Sequence, residues 1–129
     1  MAFEVTSYYE LLALQKVFLE AKFAEEPEID ELIGSPFVGN MWLRVIRELQ
    51  RLQPERGMPN AVDGWEKWMR EKITVGCREW NVALKRTKNE FTTLNWDAEK
   101  KRMFVSEIFK PFILTDEAIS TFVKQAEAS

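Results

Sequence analysis

Histidine is absent from the 129 residues, and cysteine occurs once, as Cys77. One thiol cannot form an internal disulfide. Without imidazole the common zinc sites, the Ser–His nucleophile pair and the Glu-x-x-His di-iron pattern are excluded. A catalytic thiolate at Cys77 would have no imidazole base beside it, so Cys77 reads as a small buried hydrophobe. No apolar run approaches the ~18 residues that a membrane span requires. Gln15 and Lys16 interrupt the N-terminal Leu11, Leu12, Leu14, Val17 and Phe18. Glu4 and Glu10 stand where a secretory signal would carry positive charge. The expectation is a cytoplasmic protein with no membrane contact.

Phosphate-binding and hydrolytic motifs are missing as well. Gly34 and Gly39 have part of a phosphate-loop spacing, but Asn40 and Met41 follow in place of Lys and Ser/Thr. Ser106 and Lys110 stand one helical turn apart, with nothing to supply an oxyanion hole or a nucleophile elbow. Carboxylates crowd residues 25–31, yet none of the spacings fits a calcium loop, so the segment reads as a solvated acidic turn. No catalytic residue, metal or cofactor is expected, and the chain reads as non-enzymatic.

What is present favours helices. Hydrophobic residues make up 46% and charged residues 30%, enough for one domain over residues 1–129 with a real core. The organising stretch is about 61–94. Wound at ~100° per residue, it puts Trp65, Met69, Ile73, Trp80, Ala83, Leu84, Phe91 and Leu94 on one side. Trp68, Val75 and Val82 form a second ridge beside them. An apolar arc that wide predicts a helix buried on several sides. Its ~34 residues would span ~50 Å, too long for a globule whose radius of gyration is ~14 Å. Thr74, Val75 and Gly76 are its weakest point, and a kink or break is predicted there.

Other helices fit around it. Ser7 to Glu10 has capping-box form and opens a helix to about Glu26, stopped by Pro27. Ser35 and Pro36 start a second helix to about Gln53, with Met41, Trp42, Val45, Ile46 and Leu49 inward. Asn60 or Asp63 should cap the central stretch, Asp63 and Glu66 having capping-box spacing. Residues 98–110 should bury Met103, Val105, Ile108 and Phe109. Phe112 to Leu114 should plug the core, and Thr115 should open a last helix. The predicted fold is an all-α, compact bundle of about five helices around a long, kinked central helix.

Charge is segregated, although the net is only −3. Arg44, Arg47 and Arg51 line the outer side of the second helix. Lys67, Arg70, Arg78, Lys85 and Lys88 line the exposed side of the central stretch, and Lys100 to Arg102 add a third cluster. Such stripes suit an acidic protein face or nucleic-acid phosphates; the plain alternative is a solvated surface laced with i,i+4 pairs. Trp42, Trp65 and Trp80 read as core. Trp68, at the edge of the apolar arc, and Trp96, in a turn, are the candidate aromatic contacts. The leading expectation is a small protein of inhibitor, immunity or adaptor type that binds an acidic protein partner. The alternatives are a nucleic-acid accessory protein and a homodimer joined by surplus apolar surface.

Overall fold

Helices form over most of the apolar segments among the described residues. The computed structural model describes residues 4–5, 7–24 and 31–128. Among these the α-helices are α1 (Tyr8–Lys22), α2 (Glu31–Gly34), α3 (Pro36–Leu52), α4 (Ala61–Glu71), α5 (Arg78–Thr93), α6 (Ala98–Phe109) and α7 (Asp116–Glu127). A 3-10 turn at Pro54–Arg56 joins α3 to α4. No described residue is in a strand. The acidic stretch 25–30 lies outside the described residues, and α1 ends at Lys22 with Phe23 as its cap, short of the expected end at Glu26.

The stretch 61–94 breaks where predicted, and completely. α4 ends at Glu71 and α5 begins at Arg78. Gly76 has φ 84°, in the left-handed region that L side chains avoid. Cys77 follows as the cap of α5, its Sγ accepting the Trp80 N–H at 3.4 Å. The thiol is half-buried at a helix start and packs against the core without being enclosed in it.

The break shifts the centre of the fold towards α3, where Trp42, Ile46 and Leu49 are fully buried. Trp42 gathers the aromatics around it. Phe112 meets it edge-on at 5.2 Å between centroids, Phe18 stacks at 6.2 Å and Trp68 lies at 6.3 Å. Of the predicted plug 112–114, Phe112 is buried but Ile113 is exposed, and the Ile113 N–H donates to the carbonyl of Met69 at 2.9 Å. A second aromatic group forms farther along, where Trp80 packs on Phe109 and Phe122 at 6.0 and 5.0 Å. Buried aromatics of this size dominate core energetics.

Several side chains expected inside face outward. Met103 is 63% exposed, and Val75 and Leu94 are also exposed. α6 turns Val105, Ile108 and Phe109 inward, and Met103, two residues before Val105, sits ~200° around the helix from it. Val75 is in the break, and Leu94 lies past the last turn of α5. Met41 stands at the outer edge of the arc centred on Trp42 and Ile46 and is exposed too. Trp65 is half-buried.

Helix caps divide the same way. Ser35 accepts the Val38 N–H at 3.4 Å, Asp97 accepts the Lys100 N–H at 2.8 Å and Thr115 accepts the Ala118 N–H at 3.1 Å. Asn60 makes no side-chain cap bond; at φ −95°, ψ 9° it is outside the extended region a capping side chain needs. Asp63 lies inside α4, and Glu66 turns to α3 instead of closing a box. Ser7 also makes no cap bond, which nothing in the structure explains.

Candidate partner-binding surfaces

α3 and α4 run antiparallel along one seam. Gln50 of α3 donates to the Val62 carbonyl at 3.0 Å and to the Glu66 carboxylate at 3.2 Å. Arg47 donates to Gln50 at 2.8 Å and pairs with Glu66. These hydrogen bonds, that of Arg47 first, hold the Glu66 carboxyl below its usual range, and Arg70 adds to the effect through space. Two basic stripes read separately from the sequence therefore meet at one carboxylate. One turn from Arg47 stands Arg44, and one turn from Glu66 stands Arg70. Among the described residues neither forms an ion pair, and both are exposed.

The remaining basic residues are largely engaged. Arg51 pairs with Glu48 on its own helix, and Lys67 reaches Glu71 at 4.0 Å. Exposed pairs of this kind are screened by water, stabilise little and carry little net charge. Arg78 is half-buried, against the expectation of a free stripe member. It donates to the Phe23 carbonyl at 3.2 Å and lies 3.6 Å from Glu79, so it ties the end of α1 to the start of α5. Lys85 and Lys88 are exposed on α5. In the third cluster, Lys101 pairs with Glu127 at 2.7 Å and Arg102 with Asp116 at 3.5 Å.

The two candidate tryptophans have different settings. Trp96 is half-buried, 4.9 Å from the Phe104 ring, with the Lys100 ammonium 4.9 Å above its own ring. It closes the rim of the core. Trp68 is also half-buried, tilted on Phe112 at 4.9 Å and edge-on to Trp65 at 5.2 Å. Its open side, with Trp65, lines a groove of about 610 Å³ between α1 and α4. Leu19 and Gln15 form the α1 wall, and Gln53 and Met58 close one end.

The sequence did not mark two features of these surfaces. Phe37 is 75% exposed on the outer face of α3, one turn before Met41 and two before Arg44. The signal was there, since Phe37 falls opposite Trp42 and Ile46 on a helical projection. The other is Lys22, buried at 2% exposure, whose ammonium donates to the Lys110 carbonyl. Gly39 makes room for this contact: a Cβ there would lie 3.3 Å from that carbonyl and 3.4 Å from the Lys22 Nζ. Burial pushes the Lys22 amine down to about 7, partly opposed by Glu107 and helped by the charge of Lys110. Among the described residues no group of His, Cys, Asp and Glu could hold a metal ion. None of the described helices is long and apolar enough to cross a membrane. No protein-family model matches this chain, and no curated protein or solved structure is significantly similar to it.

Proposed function

We propose that this chain is a non-enzymatic protein that works by binding another protein, through the outer face of α3 and the seam with α4. One observation carries the reading: Phe37 and Met41 stand in solvent in line with Arg44, which forms no ion pair with any described residue. Phe, Met and Arg are the residue types that protein interfaces concentrate, and an exposed Phe flanked by Arg is the composition of an anchor. Arg44 and Arg70 favour a partner with carboxylates beside an apolar contact, since Arg pairs with carboxylate in two-pronged fashion. On α4 the acid that pairs with no described residue, Asp63, sits at the far end from Arg70. An inhibitor, immunity or adaptor role fits this surface. A purely phosphate-binding face would have little use for Phe37 and Met41.

The test is affinity capture from the native host with the tagged full chain, identification by mass spectrometry, and titration of the purified partner. Phe37→Ser with Arg44→Glu should weaken that titration by more than tenfold at an unchanged melting temperature, because neither side chain touches the core. Equal affinity for both chains would refute the α3 face. A nucleic acid retained at low salt and lost steeply as salt rises would favour the nucleic-acid reading. A concentration-dependent dimer abolished by Phe37→Ser in light scattering would make the partner a second copy.

A further inference from the structure

The outer face of α3 carries one stripe along most of its length. Phe37, Met41, Arg44, Glu48 and Arg51 follow one another at steps of four, three, four and three. That is the 3.5-residue spacing at which one helix seats another along its side. The stripe has two halves. Towards the end of α3, Glu48 and Arg51 pair with each other and leave little charge for a newcomer. Towards its start, Phe37 and Met41 are 75% and 45% exposed, and Arg44 follows them. Because α4 runs antiparallel, Arg70 stands on the same side of the Arg47–Glu66 pair as Arg44 does. Glu66 is already taken by Arg47 and Gln50, and neither Arg44 nor Arg70 forms an ion pair with any described residue. Two guanidinium groups from two helices thus stand uncompensated beside an exposed apolar pair.

We propose that the outer face of α3 seats a helix of the protein partner, one with two apolar side chains a turn apart and an Asp or Glu one turn beyond them. The apolar pair covers Phe37 and Met41, and the carboxylate meets Arg44 with Arg70 beside it. This occupant rests on the reading of the chain as a protein binder and names the element that is bound. Charge selects it over a second copy. A two-fold contact brings the same patch of both copies together, and with it the surplus positive charge of Arg44 and Arg70. Backbone chemistry selects a helix over a strand. The N–H and C=O groups of α3 are spent inside the helix, and strand addition needs an open sheet edge, which no described residue provides. From Phe37 to Arg51 the stripe runs ~21 Å, the length of about four turns of a partner helix.

The experiment offers the full chain a displayed library of alanine-rich helical peptides about four turns long. Each is free to carry apolar, acidic, basic or neutral residues along one stripe. Peptides held by the unaltered chain and not by Phe37→Ser/Arg44→Glu should share two apolar residues a turn apart and an acid one turn beyond. A synthesised peptide of this kind should be helical in the complex by circular dichroism and bind Arg44→Glu roughly tenfold more weakly. Changing its acid to Lys should restore binding to Arg44→Glu, a rescue that loosening of the fold would not produce. Enriched peptides without an acid preference, a bound peptide that is not helical, or no rescue by Lys would each overturn the helix. A dimer of the unaltered chain dissolved by Phe37→Ser, or a nucleic acid released by Arg44→Glu, would overturn it in favour of that occupant. A captured native partner that depends on Phe37 and Arg44, with no helix enriched, would sink the helix and leave the protein-binding face standing. A captured partner and peptides all held equally by the double variant would sink the α3 face itself.

Discussion

Replacing Lys22 by Met should stabilise the protein at neutral pH and flatten its response to alkali. The amine is 2% exposed, and burial is the main cause that moves it from 10.5 down to about 7. In the unfolded chain it regains the ordinary value. Between about pH 7 and 10.5 the unfolded chain therefore holds a proton at Lys22 that the folded chain has released. Stability must rise with pH across that window, at up to ~1.4 kcal/mol per pH unit, and the full cost of the buried cation stands below it. The difference of 10.5 − 7 = 3.5 units corresponds to ~5 kcal/mol. Lys22→Met keeps most of the apolar stem and removes the cation, but strands the Lys110 carbonyl, a loss of ~1–3 kcal/mol. The net gain near pH 6.5 is then ~2–4 kcal/mol, vanishing near pH 9.5. Urea unfolding of both proteins at these two values supplies the assay. The unaltered chain should gain ~3 kcal/mol relative to Lys22→Met between them. Parallel pH profiles for the two proteins would refute the buried, proton-shedding Lys22.

Other substitutions test the backbone and the caps. Gly76→Ala should lower stability by ~1–2 kcal/mol in denaturant titration, because φ 84° is forced on a residue with a Cβ; an unchanged midpoint would mean the turn relaxes freely. Asp97→Ala should cost ~1 kcal/mol while Ser7→Ala costs nearly nothing, since only the first side chain caps its helix. Equal losses from the two in thermal melts would contradict the cap assignments. Gly39→Ala should cost ~1–3 kcal/mol, its Cβ landing 3.1 Å from the Lys110 Cβ. Melting scans of Gly39→Ala in the Lys22→Met background should show whether the Lys22 amine shares in that crowding.

How much of this was readable beforehand depends on the residue. The 3.6-residue period of Trp42, Ile46 and Leu49 identified α3 and its inner face, and Ser35, Asp97 and Thr115 marked real helix starts. The break at Gly76 was legible because a glycine and two β-branched residues coincide with an impossible length. Met103 and Met41 were misplaced because a single-helix projection shows which residues share a side but not how wide an arc the neighbours cover. The pairing of Arg47 with Glu66 depends on the α3–α4 register, which no local pattern encodes. Trp68 was marked as a candidate contact, yet the groove it lines needs α1 alongside, a relation between residues about fifty positions apart. Lys22 was unreadable for the same reason: its burial is made by Gly39 and Lys110, neither of which signals it in sequence.

The connector after α6 has a consequence for any attempt to shorten the molecule. Phe112 wedges between Trp42 and Trp68, while the neighbouring amide ties off the final turn of α4. A fragment ending before residue 112 would uncover two indoles and leave the Met69 carbonyl without its donor. The residues before it are thus half of a lock whose key comes later in the chain, and nothing short of the stretch through Phe112 should hold its shape alone.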